Sequence, residues 1–290
     1  MPELTVLMTA YNSEGTIRSS IRSILRQTLT DFELLVVDDG SRDGTAGVVS
    51  GIGDRRIRLV RLPENLGVCG ASNVGLAEAK APLIARMDSD DWSLPGRLEA
   101  QWRFFRENPG VDVVGTAVIT LDEIRGEEYV RTHPKDHGDI RAALALYVPF
   151  SHSGVAYRRD AIRSIGGYSE AWDGVEDLEL WIRAAVAGLR FANLPEPLHV
   201  YRISMATSRF HPIYPHFGRN LRHTALNLRA IRDLRLPKWR YVLALTRTIY
   251  PLLPVTVRRQ VRRARLGTSE RRLTPAERQS VRELIRACDA

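Results

Sequence analysis

The segment Leu83-Ile-Ala-Arg-Met-Asp-Ser-Asp-Asp-Trp92 joins a short apolar run to three carboxylates. Residues 83–87 predict a strand that is buried in a sheet, whereas an aspartate is rarely buried unless it is paired or bound to a metal. Asp88, Asp90 and Asp91 are therefore expected just beyond the carboxyl end of this strand, where open α/β sheets bind their ligands. In an extended segment Asp88 and Asp90 point to the same side, so both can face one cation.

The chemistry of these three side chains favours a hard cation. Carboxylate oxygens with no neighbouring Cys or His suit Mg²⁺ or Mn²⁺ better than Zn²⁺. A solvated loop or a helix N-cap explains the same aspartates when the segment is taken alone. The two cysteines, Cys69 and Cys288, match no metal-binding spacing and indicate a reduced, cytoplasmic setting. The N-terminus has neither the basic start nor the apolar run of a signal peptide.

The charge of the chain is distributed unevenly. The 290 residues are 44% hydrophobic and 26% charged, which is typical of a soluble globular protein with room for two domains. Residues 1–202 carry a net charge of −6, whereas residues 203–290 carry +14. The acidic part is unlike a nucleic-acid enzyme, and the basic part is typical of a segment that docks on phosphate-rich surfaces.

Strands and helices alternate over the first hundred residues. Four strands are predicted, at residues 4–10, 32–37, 57–62 and 83–87. The spacing of Ile17, Ile21 and Ile24 predicts a helix after the first strand. This alternation predicts βαβ units and a mainly parallel sheet with a nucleotide-sized crevice. Because no GxGxxG follows the first strand and no GxxxxGK[ST] occurs anywhere, dinucleotide-binding and P-loop functions lose their main support.

The pattern changes after residue 110. Shorter strands are predicted at residues 111–120, 129–132, 153–157, 191–194 and 198–202. Asp139 is predicted to cap a helix that reaches Tyr147. A second helix, with Glu176 and Asp177 in its first turn, is predicted to reach Ala187 and to stop at Gly188.

Two more acidic pairs occur at the ends of predicted elements. Asp38 and Asp39 follow the second strand, at the sheet edge where Asp88 is expected. One cluster at that edge can hydrogen-bond a nucleotide base or ribose while the other holds a diphosphate through a metal, although a tight turn also explains Asp38 and Asp39. Glu176 and Asp177 lie in the first turn of a helix, where the dipole favours carboxylates. A carboxylate there can also act as a general base on an attacking hydroxyl.

Two aromatic side chains, Trp172 and His152, are further candidates for the functional site. Trp172 would stack on the face of a sugar and exclude water from it. His152 is an alternative general base. A lone histidine is more often simply hydrogen-bonded in place.

Six short blocks of sequence follow one another in a characteristic order and spacing. They are Met8-Thr-Ala-Tyr-Asn12, Ser23-Ile-Leu-Arg-Gln-Thr28, Asp38-Asp-Gly-Ser-Arg-Asp-Gly-Thr45, the segment from Asn65 to Gly75, Asp88-Ser-Asp-Asp91 and Glu176-Asp177. Over residues 4–202 they resemble the family-2 inverting glycosyltransferases. The resemblance implies a GT-A fold, which is a Rossmann-like α/β domain, over residues 1–210. It does not cover the Arg-rich, helical region at residues 211–290.

The resemblance also implies a role for each matching residue. Nucleotide contacts would come from Thr9, Ala10, Tyr11, Asp39, Asp88 and Ser89. Asp90 would be the metal ligand in the DxD-type motif that Asp91 completes, and Asp177, beside Glu176, would be the catalytic base. Arg202 resembles the arginine of a family block that approaches the diphosphate, but the histidine that often follows is replaced here by Ile203-Ser204.

The implied reaction is an inverting sugar transfer that depends on Mg²⁺ or Mn²⁺. The donor would be a nucleoside-diphosphate sugar, most naturally a UDP- or dTDP-sugar, and the acceptor a hydroxyl of a glycan or lipid-linked glycan. The transition state would resemble an oxocarbenium ion, and a metal would offset charge on the leaving group. Synthesis of a cell-envelope or surface polysaccharide is the expected setting.

The basic region predicts a contact with a membrane surface. Residues 217–236 predict an Arg-studded helix, and residues 239–255 form an apolar run with basic flanks. The run is interrupted by Arg247 and Pro251 and is too short to span about 30 Å of hydrocarbon. Residues 217–265 are therefore expected to lie on an anionic leaflet, which makes the protein cytoplasmic and peripheral on that face of the membrane. A helical subdomain packed on the body is the alternative.

Two other classes of function compete with the transferase. A nucleic-acid-binding protein would use the basic region, but the sequence contains no RNP, zinc or helix-turn-helix signature. A sugar nucleotidylyltransferase would need a Gly-rich N-terminal loop bearing Arg and Lys, which is missing. No nucleic-acid partner is therefore expected.

Overall fold

The computed structural model describes residues 2–205, 217–249 and 270–290. Its strands are β1 (Leu4–Ala10), β2 (Phe32–Asp38), β3 (Ile57–Arg61), β4 (Leu83–Asp88), β5 (Trp92–Ser93), β6 (Val113–Asp122), β7 (Glu127–Arg131), β8 (Ala156–Arg158), β9 (Phe191–Ile203) and β10 (Glu270–Arg272). Its helices are α1 (Ile17–Leu25), α2 (Thr45–Ser50), α3 (Gly67–Glu78), α4 (Arg97–Glu107), α5 (His137–Ala143), α6 (Arg159–Ser164), α7 (Glu176–Val186), α8 (Phe217–Asp233), α9 (Arg240–Ile249) and α10 (Pro275–Asp289).

The strands form one sheet in the order β10-β7-β6-β8-β4-β1-β2-β3. Strands β1, β2, β3 and β4 are parallel, as the βαβ pattern predicts. Ala10 at the end of β1 aligns with Asp38 of β2, and Thr9 aligns with Asp88 of β4. Because these carboxyl ends coincide, the two aspartate clusters lie at the same edge of the sheet.

The parallel strands are apolar because both of their faces are covered. Leu34 and Val36 of β2 pack with α1 on one face, whereas Leu35 and Val37 pack on the other face with α3 and α7. Ile17, Ile21 and Ile24 of α1 are fully buried, which confirms the predicted apolar face of that helix.

Some element boundaries in the second half of the chain were predicted wrongly. Asp139 does not cap α5, because the helix begins at His137 and the extended residue before it is Asp136. Residues 191–202 form one strand, β9, rather than two. Its parallel pairing with β6 shifts register near Ala117, and this irregularity accommodates Pro195 and Pro197 within the strand. Residues 152–154 form a 3-10 turn, and the strand predicted there is limited to β8.

The C-terminal region is mainly helical and contacts the body through several of its elements. Helix α8, predicted as an Arg-studded helix, packs on α7 with Leu226 and Ala230 buried. Arg22 and Arg26 of α1 donate hydrogen bonds to the last carbonyls of α10, and β10 extends the sheet beside β7. Within the described ranges, no helix combines the length and apolarity needed to cross a membrane. The predicted apolar and basic segments at residues 250–255 and 258–265 lie outside the described residues.

Candidate active site

A cleft of about 1040 Å³ opens at the carboxyl ends of β1, β2 and β4, and we call it the main cleft. Most of the predicted site residues line it: Thr9, Ala10, Tyr11, Asp39, Asp88, Ser89, Asp90, His152, Glu176, Asp177 and Arg202. Asp91 and Trp172 are not among the lining residues. Residues that are far apart in the sequence therefore meet in one place because the parallel strands end together.

The two aspartates after β2 have different positions. Asp38 is fully buried and accepts a hydrogen bond from the Ser41 N–H, so it holds the turn. Asp39 faces the main cleft and accepts a hydrogen bond of 2.7 Å from the Leu66 N–H. Burial raises the pKa of the Asp39 carboxyl, and the backbone N–H groups of Leu66 and Gly67 oppose this effect. Gly40, with φ +69°, is required between Asp39 and Ser41, because a Cβ there would lie 2.6 Å from the backbone of Glu64.

The aspartates after β4 bring their oxygen atoms close together. One carboxylate oxygen from each of Asp88, Asp90 and Asp91 lies within 4.8 Å of the others. Asp88 also pairs with the buried Arg86 at 2.8 Å. Such an all-oxygen set suits Mg²⁺ or Mn²⁺. A second group of described residues, Cys69, Asp173 and Glu176, is also close together, but it includes a thiol.

Asp91 belongs to a buried polar network behind the main cleft. Its carboxylate accepts a 3.0 Å hydrogen bond from the Arg202 N–H and lies 2.8 Å from Nε2 of His199. Ser153 also lies 2.8 Å from that nitrogen. Burial raises the pKa of Asp91 to about 8 and keeps the pKa of His199 well below its usual range, so the imidazole is neutral. Asp91 therefore joins the turn after β4 to β9, which leaves Asp88 and Asp90 facing the cleft.

The acidic pair at the start of α7 spans two cavities. Asp177 lines the main cleft and also a neighbouring cavity of about 410 Å³, which we call the side cavity. The two cavities also share Asp88, Val148, His152 and Tyr201. Glu176 lines the main cleft but not the side cavity. Burial and the adjacent Asp177 raise the pKa of Glu176 to about 7. His152, which lies 3.1 Å from the Tyr168 hydroxyl, has a pKa kept well below its usual range by burial.

Two cleft residues on α8 could not be identified from the sequence. Arg219 and His223 reach the main cleft from the basic C-terminal region. Their only sequence signal is the positive charge of that region. Arg222 of the same helix lies 5.4 Å from the Trp172 ring, so a neighbouring cation covers the indole that was predicted to stack on a sugar. The guanidinium of Arg202 pairs with Glu123 at 2.7 Å and lies over Trp92.

The raised pKa of Glu176 predicts a dependence of stability on pH. The folded state binds this proton more tightly than the unfolded chain, so its contribution to stability is complete below about pH 4.5 and is lost as the pH rises through about 7. Between pH 5 and pH 8, the free energy of unfolding of the wild type should therefore fall relative to that of Glu176→Gln. Urea unfolding of both proteins measures the difference. Glu107→Gln, at an exposed position on α4, is the matched control and should show no such trend.

The fold and cleft are those of a GT-A glycosyltransferase, and comparisons with known proteins agree. The structure of Staphylococcus aureus TarS 1–349 in complex with UDP-GlcNAc aligns with a TM-score of 0.65 and 19% identity over 90% of this chain and 78% of that one. The Pyrobaculum calidifontis mannosyltransferase PcManGT, in complex with GDP-Man and Mn²⁺, aligns with a TM-score of 0.57 and 20% identity over 99% and 86%.

Sequence comparisons identify the family. EpsE of Bacillus subtilis is 30% identical over 283 residues, which are 95% of this chain and 99% of EpsE. The amylovoran biosynthesis glycosyltransferase AmsE of Erwinia amylovora is 34% identical over 198 residues, 67% of this chain and 74% of AmsE. The model of glycosyl transferase family 2 matches residues 5–166. The chain belongs to this family.

Proposed function

We propose that the protein is a metal-dependent, inverting glycosyltransferase that moves a sugar from a UDP- or dTDP-sugar to a hydroxyl of a glycan or lipid-linked acceptor. The observation that carries this proposal is the position of Asp177, which lines both the side cavity and the main cleft that Asp88 and Asp90 also line. A donor in the main cleft and an acceptor in the side cavity would both reach one carboxylate. The name of AmsE supports polysaccharide synthesis as the setting.

The residues at this junction can perform the proposed displacement. Asp177 takes the proton from the acceptor hydroxyl, and the hydroxyl oxygen attacks the anomeric carbon from the side opposite the diphosphate, which inverts that centre. Asp90 and Asp88 are the groups that would hold Mg²⁺ or Mn²⁺, which supplies positive charge to the leaving diphosphate when bound. Arg219 brings a second positive charge to the same cleft. Asp39, with Thr9, Ala10 and Tyr11, borders the place for the base.

A thermal-shift panel tests the donor site. UDP, dTDP, GDP and CMP are each added with and without Mn²⁺ to the wild type, to Asp90→Ala and to the control Asp160→Ala, which removes an exposed aspartate from α6. A ligand at 100 times its Kd stabilises the fold by about 2.7 kcal/mol. We expect a metal-dependent rise in Tm with UDP or dTDP that is kept in Asp160→Ala and lost in Asp90→Ala. Folded wild type with no shift for any nucleotide would contradict the proposed function.

A second proposal concerns the setting of the enzyme at the cytoplasmic face of a membrane. On α9 and the residue before it, Trp239, Val242 and Leu245 are 59%, 66% and 52% exposed. Their spacing of three residues places them on one side of the helix, and Lys238 and Arg240 flank the first of them. An exposed apolar stripe beside basic side chains is typical of a helix that lies on an anionic bilayer.

Vesicle flotation tests this surface. We expect the wild type to float with vesicles that contain phosphatidylglycerol and much less with pure phosphatidylcholine. The full-length variant with Trp239, Val242 and Leu245 all changed to Ser should lose most of the flotation, because it keeps the charges but removes the apolar stripe. Leu221→Ser, which changes an exposed apolar side chain on α8, is the control. Equal flotation of the triple variant and the wild type would refute the proposal.

A further inference from the structure

The side cavity carries polar groups that the proposed reaction does not use. It is lined by the end of β7, by the segment before β8 and by Tyr147 and Tyr201, and it opens on Asp177. His133 follows β7 and lies in the wall of this cavity. The cavity adjoins the main cleft through the residues they share, and Asp177 is one of them, so a molecule inside the side cavity would contact the proposed base.

Both ring nitrogens of His133 are buried without a hydrogen-bond partner among the residues that the structure describes. Buried polar groups in folded proteins are normally hydrogen-bonded, so an unsatisfied ring in a cavity wall indicates a ligand that satisfies it. Burial and the nearby Arg131 lower the pKa of His133 to about 3. A neutral imidazole offers one N–H donor and one acceptor nitrogen, and a sugar hydroxyl offers the same two functions in return.

The charges around the side cavity favour an uncharged ligand. The carboxylates of Asp88 and Asp177 lie at its inner end. The guanidinium of Arg131 is its cation, and this group pairs with Glu270 of β10 at 3.2 Å and also donates to the Tyr129 hydroxyl. Because Arg131 is already paired, the described lining of the side cavity offers a phosphate or uronate no uncompensated arginine or lysine, which favours an uncharged ligand.

We propose that the side cavity is the acceptor subsite and that His133 recognises a hydroxyl of a neutral pyranose whose reacting hydroxyl faces Asp177. This inference rests on the proposed function and adds to it the class of the acceptor sugar. Recognition through hydrogen bonds is selective, since a sugar that lacks the matching hydroxyl would leave a buried imidazole unsatisfied.

Release of nucleoside diphosphate tests the assignment. The nucleotide sugar is the one identified by the thermal-shift panel, and release is measured alone and with methyl glycosides of glucose, galactose, N-acetylglucosamine and glucuronic acid. In the wild type a neutral glycoside should accelerate release. His133→Phe should raise the KM for that glycoside roughly tenfold or more, which corresponds to losing one or two hydrogen bonds. Release without acceptor and donor-induced Tm shifts should stay as in the wild type.

Two variants separate recognition from folding. His133→Gln keeps a donor and an acceptor and should recover part of the lost affinity. His137→Phe, on α5 and outside both cavities, makes the same substitution four residues away and should leave the KM unchanged. The proposal is overturned if His133→Phe keeps the wild-type KM, if only the glucuronide accelerates release, or if no neutral glycoside does. A wild type that neither binds nor hydrolyses any donor would instead refute the proposed function itself.

Discussion

Asp177→Asn is expected to lower the rate of sugar transfer by about 10²–10⁴-fold, the usual contribution of a general base. Asparagine has the same shape and can still accept the 2.7 Å hydrogen bond that the Leu178 N–H gives to Oδ1 of Asp177. It cannot take a proton from the acceptor hydroxyl. The Tm shift produced by donor and metal should therefore be retained in Asp177→Asn. Product formation, which is measured by chromatography of the glycoside, should be lost.

Glu176→Gln is the matched comparison for this experiment. The two carboxylates are adjacent, but Glu176 lines only the main cleft, whereas Asp177 also borders the side cavity. The pKa of about 7 also leaves Glu176 only partly ionised at neutral pH. We expect Glu176→Gln to keep much more activity than Asp177→Asn. The opposite order, or Asp177→Asn with activity near that of the wild type, would exclude Asp177 as the base.

The fold of the first half could be predicted because its signals are local. Apolar runs of five to seven residues indicate buried parallel strands, and β1, β2, β3 and β4 occur where these runs are. The runs of β2 and β4 lead directly into aspartates. The meeting of Asp39 with Asp88 then follows from the geometry of a parallel sheet, since neighbouring strands end at the same edge. Strand periodicity therefore predicted the meeting of side chains from two separate strands.

The rest of the fold and of the candidate site depends on contacts between segments that are far apart in the sequence. His199 is 108 residues from Asp91, and only the pairing of β9 with β5 and β6 brings them together. Arg219 and His223 lie on a helix beyond the matched blocks, and their approach to the cleft depends on the packing of α8 against α7. The helix α10 was not predicted, although Thr274-Pro-Ala-Glu277 forms a capping box that signals its start.

Asp90 and Asp91 are adjacent and carry the same side chain, yet they lie in different environments in the structure. Asp90 lines the main cleft, whereas the Asp91 side chain is fully buried and contacts His199 and the Arg202 N–H. No periodicity distinguishes them, because the chain turns immediately after β4. The structure therefore predicts different effects for the same substitution at the two positions: a loss of stability at Asp91 and a loss of ligand binding at Asp90.

Asp91→Ala is expected to lower the free energy of unfolding by about 2–4 kcal/mol, because each buried hydrogen-bonding group that is left without its partner costs about 1–3 kcal/mol. The loss would leave the partly buried Arg202 N–H and the buried His199 ring without their hydrogen-bond partner. Urea unfolding at pH 7 measures the change. Asp91→Asn, which keeps a carbonyl oxygen for the Arg202 N–H, should fall between Asp91→Ala and the wild type.

Asp90→Ala is the control, since a substitution at a cleft-lining position should change stability by no more than about 0.5 kcal/mol in the absence of metal and nucleotide. The pair of variants then separates two functions of one motif. Asp90→Ala should fold normally and lose the metal-dependent response to nucleotide, whereas Asp91→Ala should be unstable before any ligand is added. Equal stability of the two variants would mean that the His199–Asp91 contact does not anchor the turn after β4, and the division of roles between these aspartates would be wrong.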